Sequence, residues 1–352
     1  MLNARIVKHI LSFKEPVTTS RGTLSHKNTW YILLHDYFVG YTGIGECSII
    51  PDLSIDDRPD YIDKLTEVCG DINSGIPVDY LDLEGFPSIA FALEVALADL
   101  AYHSYPQNIL FPSQFTEGEI GIPINGLVWM ASREQMEQQV RTKIQQGFDT
   151  IKLKIGALDF EDELAILHAI RQQFSPDVIS IRLDANGAFM TQNAMEKLSR
   201  LSEFSIHSIE QPIRQGQRES MANLCRMSPI PIALDEELIG RYTVQEQEEL
   251  LAQIKPQYII LKPSLLGGLA ASEAWIASAE KNDIKWWITS ALEGNIGLNA
   301  IAQWTYTLNN PMPQGLGTGQ IYSNNIESPL TISKGKLYYD VKKKWDLSLL
   351  EW

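Results

Sequence analysis

Apolar and polar residues alternate through Ile151-Lys152-Leu153-Lys154-Ile155. A period of two predicts a strand, with both lysines on one face and the three aliphatic residues on the other. Short β-branched runs of the same kind recur at 122–128, 178–183, 206–209, 230–234, 258–261 and 286–288. Between them lie stretches with apolar residues at helical spacing, such as "SREQMEQQVRTKIQQG" and "DFEDELAILHAIRQQF". Nearly apolar strands that alternate with helices predict an α/β fold with a parallel sheet and helical crossovers. Seven such units, with "GLGTG" from Gly315 as a cramped eighth, suit a closed (β/α) barrel better than an open sheet. Helices cover the outside of such a barrel, so the lysine face of residues 151–155 is expected to point inward.

Residues 1–118 ahead of the barrel read as a separate α+β domain. "TWYILLHDYFVGYTGIGECSIIP" has the pattern of a hairpin turning at Gly40, and "PSIAFALEVALADLAYHSY" that of a buried helix. The barrel is expected over 119–320. Residues 321–352, strand-like again in "LTISKGKLYYDVKKKW", are expected to return to the first domain.

Composition narrows the possibilities. The chain has 352 residues, 44% hydrophobic and 21% charged, which is ordinary for a globular protein. A net charge of −15 disfavours a surface for nucleic acid and leaves no polybasic membrane patch. No apolar run approaches the length of a membrane span. Arg5, Lys8 and Lys14 are dispersed, unlike the start of a secretory signal. Cys47, Cys69 and Cys225 are scattered and form no C-x-x-C pair, so neither a disulfide framework nor a zinc knuckle is indicated. A cytoplasmic location and a small-molecule substrate are expected; oligomeric state stays open.

The chemistry sits at the strand ends. Lys154, Asp184, Glu210, Asp235, Lys262 and Ser290 follow one another at intervals of 25 to 30 residues, about one strand, one helix and two loops. In a parallel barrel the carboxyl ends of the strands carry the active site. Three carboxylates converging there need a counter-charge, and an all-oxygen ligand set suits Mg²⁺, with Mn²⁺ as a possible substitute. The histidines do not compete as ligands, and His207, three residues before Glu210, is expected in the core. Lys152 and Lys154 enter from the second strand and Lys262 from the sixth, on opposite sides of the ring. Crowded ammonium groups beside a metal are expected to have lowered pKa values and to serve as bases. Such a set suits removal of a proton α to a carboxylate. "GLGTGQ" is rejected as a dinucleotide fingerprint, because "NNPMPQ" rather than an apolar strand precedes it.

The K-x-K, Asp, Glu, Asp, Lys order resembles the enolase superfamily, specifically its muconate-lactonising-enzyme-like subgroup, over essentially the whole chain. The resemblance implies a modified (β/α)₇β TIM-type barrel with an α+β N-terminal capping domain. It implies Lys154 and Lys262 as the acid/base pair with Lys152 beside them, and Asp184, Glu210 and Asp235 as Mg²⁺ ligands. Asn186 and Glu236 stand next to the ligands and are expected to support them, with Asn186 also a substrate contact, and Arg182 shares the face of Asp184 and is expected to anchor it or a substrate carboxylate. "ITSALEGNIGLNAIAQW", "GLGTGQIYSNNI" and "RLDANGAF" resemble the o-succinylbenzoate synthases within that subgroup. That resemblance implies a hydro-lyase of menaquinone biosynthesis, with Ser290 and Glu293 as further substrate contacts. It also implies that a capping loop, Thr18 to Asn28, closes over the substrate with Arg21, His26 and Lys27 available to the succinyl carboxylate. The alternatives are an N-succinylamino acid racemase, a dipeptide epimerase, or a catalytically silent binding relative. Residues 315–325 lack the aspartates with which dipeptide epimerases hold an ammonium group.

Overall fold

The computed structural model describes residues 2–19 and 22–352. Strands β1 (Leu2–Thr19), β2 (Gly22–Asp36) and β3 (Tyr41–Ser48) form an antiparallel sheet in that order. Gly40, at φ 67°, makes the expected turn between β2 and β3. Alternation along β2 buries both of its faces. Trp30, Ile32 and Leu34 pack with Leu65, Val68, Ile89 and Leu93 of helices α1 (Tyr61–Asn73) and α2 (Pro87–Ala101). Tyr31 and Leu33 face the other way, toward Ile296, Ile326 and Leu350. Helix α2 lies directly on β3: a Cβ at Gly45 would stand 1.8 Å from the Ala92 carbonyl oxygen, so only glycine permits this approach.

The segment Thr18–Asn28 differs from the expected loop. Most of it is strand, paired across the β1–β2 hairpin with Leu11 opposite Lys27 and Thr18 opposite Thr23. Val17, Leu24 and buried Lys27 give this hairpin inward-facing anchors, and the chain therefore continues as a ladder. Arg21 lies outside the described residues.

Seven parallel strands follow in spatial order: β5 (Gly126–Val128), β6 (Thr150–Lys154), β7 (Ser180–Asp184), β8 (Ser208–Glu210), β9 (Ile232–Leu234), β10 (Tyr258–Leu261) and β11 (Lys285–Ile288). Helices α3 (Arg133–Gln145), α4 (Phe160–Gln173), α5 (Thr191–Ser202), α6 (Arg218–Met227), α7 (Val244–Ile254), the short α8 (Pro263–Leu266) and α9 (Leu269–Glu280) connect them, and α10 (Asn295–Thr307) follows β11. Ser132 and Thr243 start α3 and α7 with reciprocal capping boxes.

The ring closes through two residues, Gln314 and Gly315, which bridge in parallel to Ile124 and Thr289. The Gln314 side chain completes the seam, accepting from Ile288 N at 2.7 Å and donating to Met312 O at 2.6 Å. The eighth strand anticipated at "GLGTG" is thus a pair of bridges. The run at 122–128 also splits, and β4 (Ile122–Pro123) leaves the ring to pair with a C-terminal hairpin, β12 (Leu330–Ser333) and β13 (Lys336–Tyr339). That hairpin joins β4 rather than the N-terminal sheet. The C-terminal segment meets the first domain elsewhere, through the Phe13–Tyr322 bridge and through Leu350.

Outward positions of the barrel, including Ile151, Leu153, Ile155, Ile181, Leu183, Ile209, Leu234, Ile259 and Ile288, belong to one apolar cluster with the covering helices. Among the described residues no helix is long and apolar enough to cross a membrane.

Candidate active site

The alternate positions of the same strands point into the ring. In register, Lys152 stands beside Arg182 and Lys154 beside Asp184, Asp184 is paired with Glu210, and Asp235 directly follows β9. Lys262 follows β10, which lies across the ring from β6. Asp184, Glu210 and Asp235 are 0%, 2% and 2% exposed, so their charges must be satisfied within the protein.

Lysines supply that charge here. Lys152 Nζ lies 2.9 Å from Asp184 Oδ2 and 2.5 Å from Glu210 Oε2. Lys154 Nζ donates to Asp184 Oδ2 and to Asn186 Oδ1, both at 2.8 Å. Lys262 pairs with Asp235 and stands 3.9 Å from Glu210 Oε1. Asn186, in a left-handed conformation at φ 44°, passes the network on to Glu236 Oε1 at 3.0 Å.

Burial disfavours the charge on Asp184, but Lys152 and Lys154 outweigh it and hold the carboxyl far below its usual range. Asp235 is also lowered, with Lys262 overcoming the effect of burial. Glu210 goes the other way: burial and then the neighbouring Asp184 charge push it up. Burial alone would lower Lys152 and Lys262, yet the adjoining carboxylates raise both. Both lysines sit against acids, whose charge outweighs burial.

Among the described residues, no three His, Cys, Asp or Glu side chains form a ready-made ligand cluster, since the acids close onto the lysines. The donor chemistry nevertheless fits a divalent cation. Neither buried oxygen of Glu210 accepts a hydrogen bond of good geometry, although Lys152 Nζ stands 2.5 Å from Oε2. Three carboxylates on adjoining strand ends, one with idle lone pairs, suit a hard oxygen-seeking ion.

Above this network lies a cavity of about 190 Å³. A cavity of about 150 Å³ is enough to hold a benzene ring. Lys152, Lys154, Lys262, Asn186 and Ser290 line it, as the strand-end pattern predicts. Gly22, Thr23 and Leu24 of the hairpin tip, together with residues 50–53, roof it from the N-terminal domain. Asn125, Trp129, Thr289 and Thr318 also line it and escaped the sequence reading. Thr318 lies in the "GLGTG" run and Thr289 adjoins Ser290, while Trp129, 25 residues before Lys154, follows β5, where the landmark spacing could have exposed it; Asn125 precedes that strand. Trp129 faces Lys154, whose Nζ is 6.0 Å from the ring centroid.

Two expected substrate contacts lie elsewhere. Arg182 shares the inward face of Asp184 but one layer deeper, about 6–7 Å down the strand. It is 2% exposed, donates to Pro313 O at 2.8 Å, and stacks 4.0 Å from the Trp287 ring. Burial lowers its guanidinium to about 10, and it supports the segment leading into the eighth strand rather than the cavity. Glu293 is fully buried and does not line the cavity; it accepts from Ser264 Oγ and from Ala291 N at 2.5 and 2.7 Å. Lys27, expected to be available to the succinyl carboxylate, is buried against Ser48, and exposed His26 is hydrogen-bonded to Ser25. His207 sits inside the barrel floor beside Tyr258, with burial and Arg182 holding it down at about 4.

Fold and site together define a capped-barrel enzyme, and the chain belongs to the enolase superfamily: residues 135–342 match the enolase C-terminal domain-like family. Its near relatives are narrower in kind. The chain is 46% identical to the o-succinylbenzoate synthase of Desulfotalea psychrophila, over 93% of this chain and 96% of that protein. The crystal structure of MenC from Desulfotalea psychrophila LSv54 superposes with a TM-score of 0.85 at 42% identity, covering 96% of this chain and 99% of that one. The muconate lactonizing enzyme of Pseudomonas fluorescens, complexed with muconolactone, shares the fold at a TM-score of 0.82 and 22% identity, over 99% and 97% of the two chains.

Proposed function

We infer that this chain dehydrates 2-succinyl-6-hydroxy-2,4-cyclohexadiene-1-carboxylate to 2-succinylbenzoate, the o-succinylbenzoate synthase reaction of menaquinone synthesis, in the cytoplasm. The observation that carries the inference is the pair Lys154 and Lys262, facing each other across one cavity above three buried carboxylates. Identity of 46% with the Desulfotalea psychrophila o-succinylbenzoate synthase, over 93% of this chain and 96% of that protein, supports the choice of substrate.

Asp184, Glu210 and Asp235 would hold Mg²⁺, or Mn²⁺ in its place. When bound, the cation would cancel the carboxylate charge that favours the ammonium forms, and would stabilise negative charge on a substrate carboxylate. Lys154, as the free amine, takes the proton α to the ring carboxylate. The C–H electron pair becomes ring π-bond as the adjacent C–O bond breaks. The hydroxyl leaves as water with the proton that Lys154 has taken, which restores the free amine, and an aromatic ring remains. Lys262 places a positive charge beside the developing anion from the opposite wall. Asn186 orients the Lys154 amine through its 2.8 Å hydrogen bond. The roof of Gly22–Leu24 and residues 50–53 excludes water.

The test is direct. Purified protein with Mg²⁺ is expected to convert the cyclohexadiene to 2-succinylbenzoate with saturation, followed by the change in ultraviolet absorbance. Chelation should abolish turnover, and Mg²⁺ or Mn²⁺ should restore it. No conversion with saturating metal, together with deuterium exchange into both enantiomers of an N-succinylamino acid, would favour the racemase instead.

A further inference from the structure

The loop after β11 supplies Ser290, Ala291 and Leu292 to the cavity wall, and its backbone is unusual. Leu292 has φ 60°, a left-handed conformation that a branched side chain seldom adopts. Such conformations persist where the surroundings over-determine them, and they cluster at functional sites.

The surroundings here come from other parts of the fold. Tyr322 of the C-terminal segment, packed 4.7 Å from the Phe13 ring, donates its hydroxyl to Leu292 O at 2.6 Å. Glu46 of β3 accepts from Gly294 N at 2.5 Å and from Gly297 N at 2.8 Å, seating the start of α10 on the N-terminal sheet. Glu293 turns away from the cavity to accept from Ser264 Oγ and Ala291 N. Lys27 of β2 lies against Ser48, and the charges of Glu46 and Glu293 act on its buried ammonium group. The Tyr322, Glu46, Glu293 and Lys27 side chains are at most 3% exposed. Lys27 is also three residues from Leu24 on the hairpin whose tip roofs the cavity.

We propose that Glu46, Lys27 and Tyr322 are positioning residues for substrate binding: from the N-terminal sheet and the C-terminal segment they lock Leu292 in its left-handed conformation, so that Ser290–Leu292 form the cavity wall. They touch neither the reacting atoms nor the three strand-end carboxylates.

Two readouts test this, and only the second rests on the proposed reaction. Hydrogen exchange at the amides of Ala291–Gly294 is expected to quicken about tenfold or more in Glu46→Gln and in Tyr322→Phe, the equivalent of one lost hydrogen bond. KM for the cyclohexadiene should rise about tenfold with kcat within about threefold, as when uniform binding is lost. Lys27→Met should behave alike. If Glu46→Gln fails to fold, Tyr322→Phe removes a single hydroxyl and keeps the test. A lower melting temperature with unchanged exchange at these amides and unchanged KM would overturn the proposal, because it is what a purely structural role gives. If the wild-type protein does not turn over the cyclohexadiene, the functional inference falls and the exchange experiment still decides the positioning.

Discussion

Replacing Lys154 with alanine is expected to lower kcat for the dehydration by about 10²–10⁴-fold, the usual worth of a positioned general base. Its ammonium nitrogen is bonded to Asp184 and Asn186 and lines the cavity, so it is fixed where a substrate proton would be met. Loss of the amine leaves all three carboxylates in place, with Lys152 still against Asp184 and Glu210. Metal affinity, read by calorimetric titration, should therefore change little while the chemical step collapses. Small primary amines added in solution should return part of the rate, because alanine leaves room beside Trp129 for a replacement base. Wild-type turnover in the alanine variant would remove Lys154 from the mechanism.

Glu210→Gln is expected to fail differently, with metal affinity and activity lost together. An amide of the same shape carries no charge, and loss of one of three anionic donors should weaken binding by at least about 100-fold, the upper range seen when groups outside the ligand set are removed. Stability gives an independent sign. Burial and Asp184 raise the Glu210 carboxyl above its unfolded value. An acid raised in the folded state contributes full stability only below its unfolded pKa and costs stability as pH climbs from there toward and past the folded value. Glutamine resembles the neutral acid and escapes this cost. At neutral pH the metal-free variant should melt no lower than the wild type, while the rise in Tm that Mg²⁺ confers on the wild type should shrink or vanish. A variant that binds Mg²⁺ with wild-type affinity would take Glu210 out of the ligand set.

Much of this site was legible in the sequence because a barrel strand has period two and a fixed functional end. Ile151, Leu153 and Ile155 pack outward and Lys152 and Lys154 inward, as alternation requires. The same rule carries Asp184, Glu210, Asp235 and Lys262 to one rim. It says less about depth: Arg182 has the phase of Asp184 but lies a layer below, under Trp287. It says nothing about loops. Glu293 follows a strand end, yet the left-handed backbone at Leu292 turns its carboxylate away from the cavity. Lys27 was misread as a loop charge because the polar string around it hides a strand. Counting back by twos from Leu33, Tyr31 and Thr29 would have placed it on the buried face. The eighth strand was recognisable only as glycines, since two bridges and the Gln314 amide do the work of a longer ladder. At Lys152 and Lys262 the acids alongside outweigh desolvation, an effect that the spacing of the landmarks does not convey.

The central claim is that six charged side chains from five strands meet at the mouth of the barrel to take one proton from a metal-held substrate. A crystal structure with Mg²⁺ and 2-succinylbenzoate measures this most directly. One oxygen each from Asp184, Glu210 and Asp235 should lie about 2.0–2.1 Å from the ion. Lys154 Nζ and Lys262 Nζ should face opposite sides of the product ring, with Lys154 within about 3.5 Å of the carbon that bears the carboxylate. A cation bound away from these three acids, or a product ring out of reach of Lys154, would contradict the account.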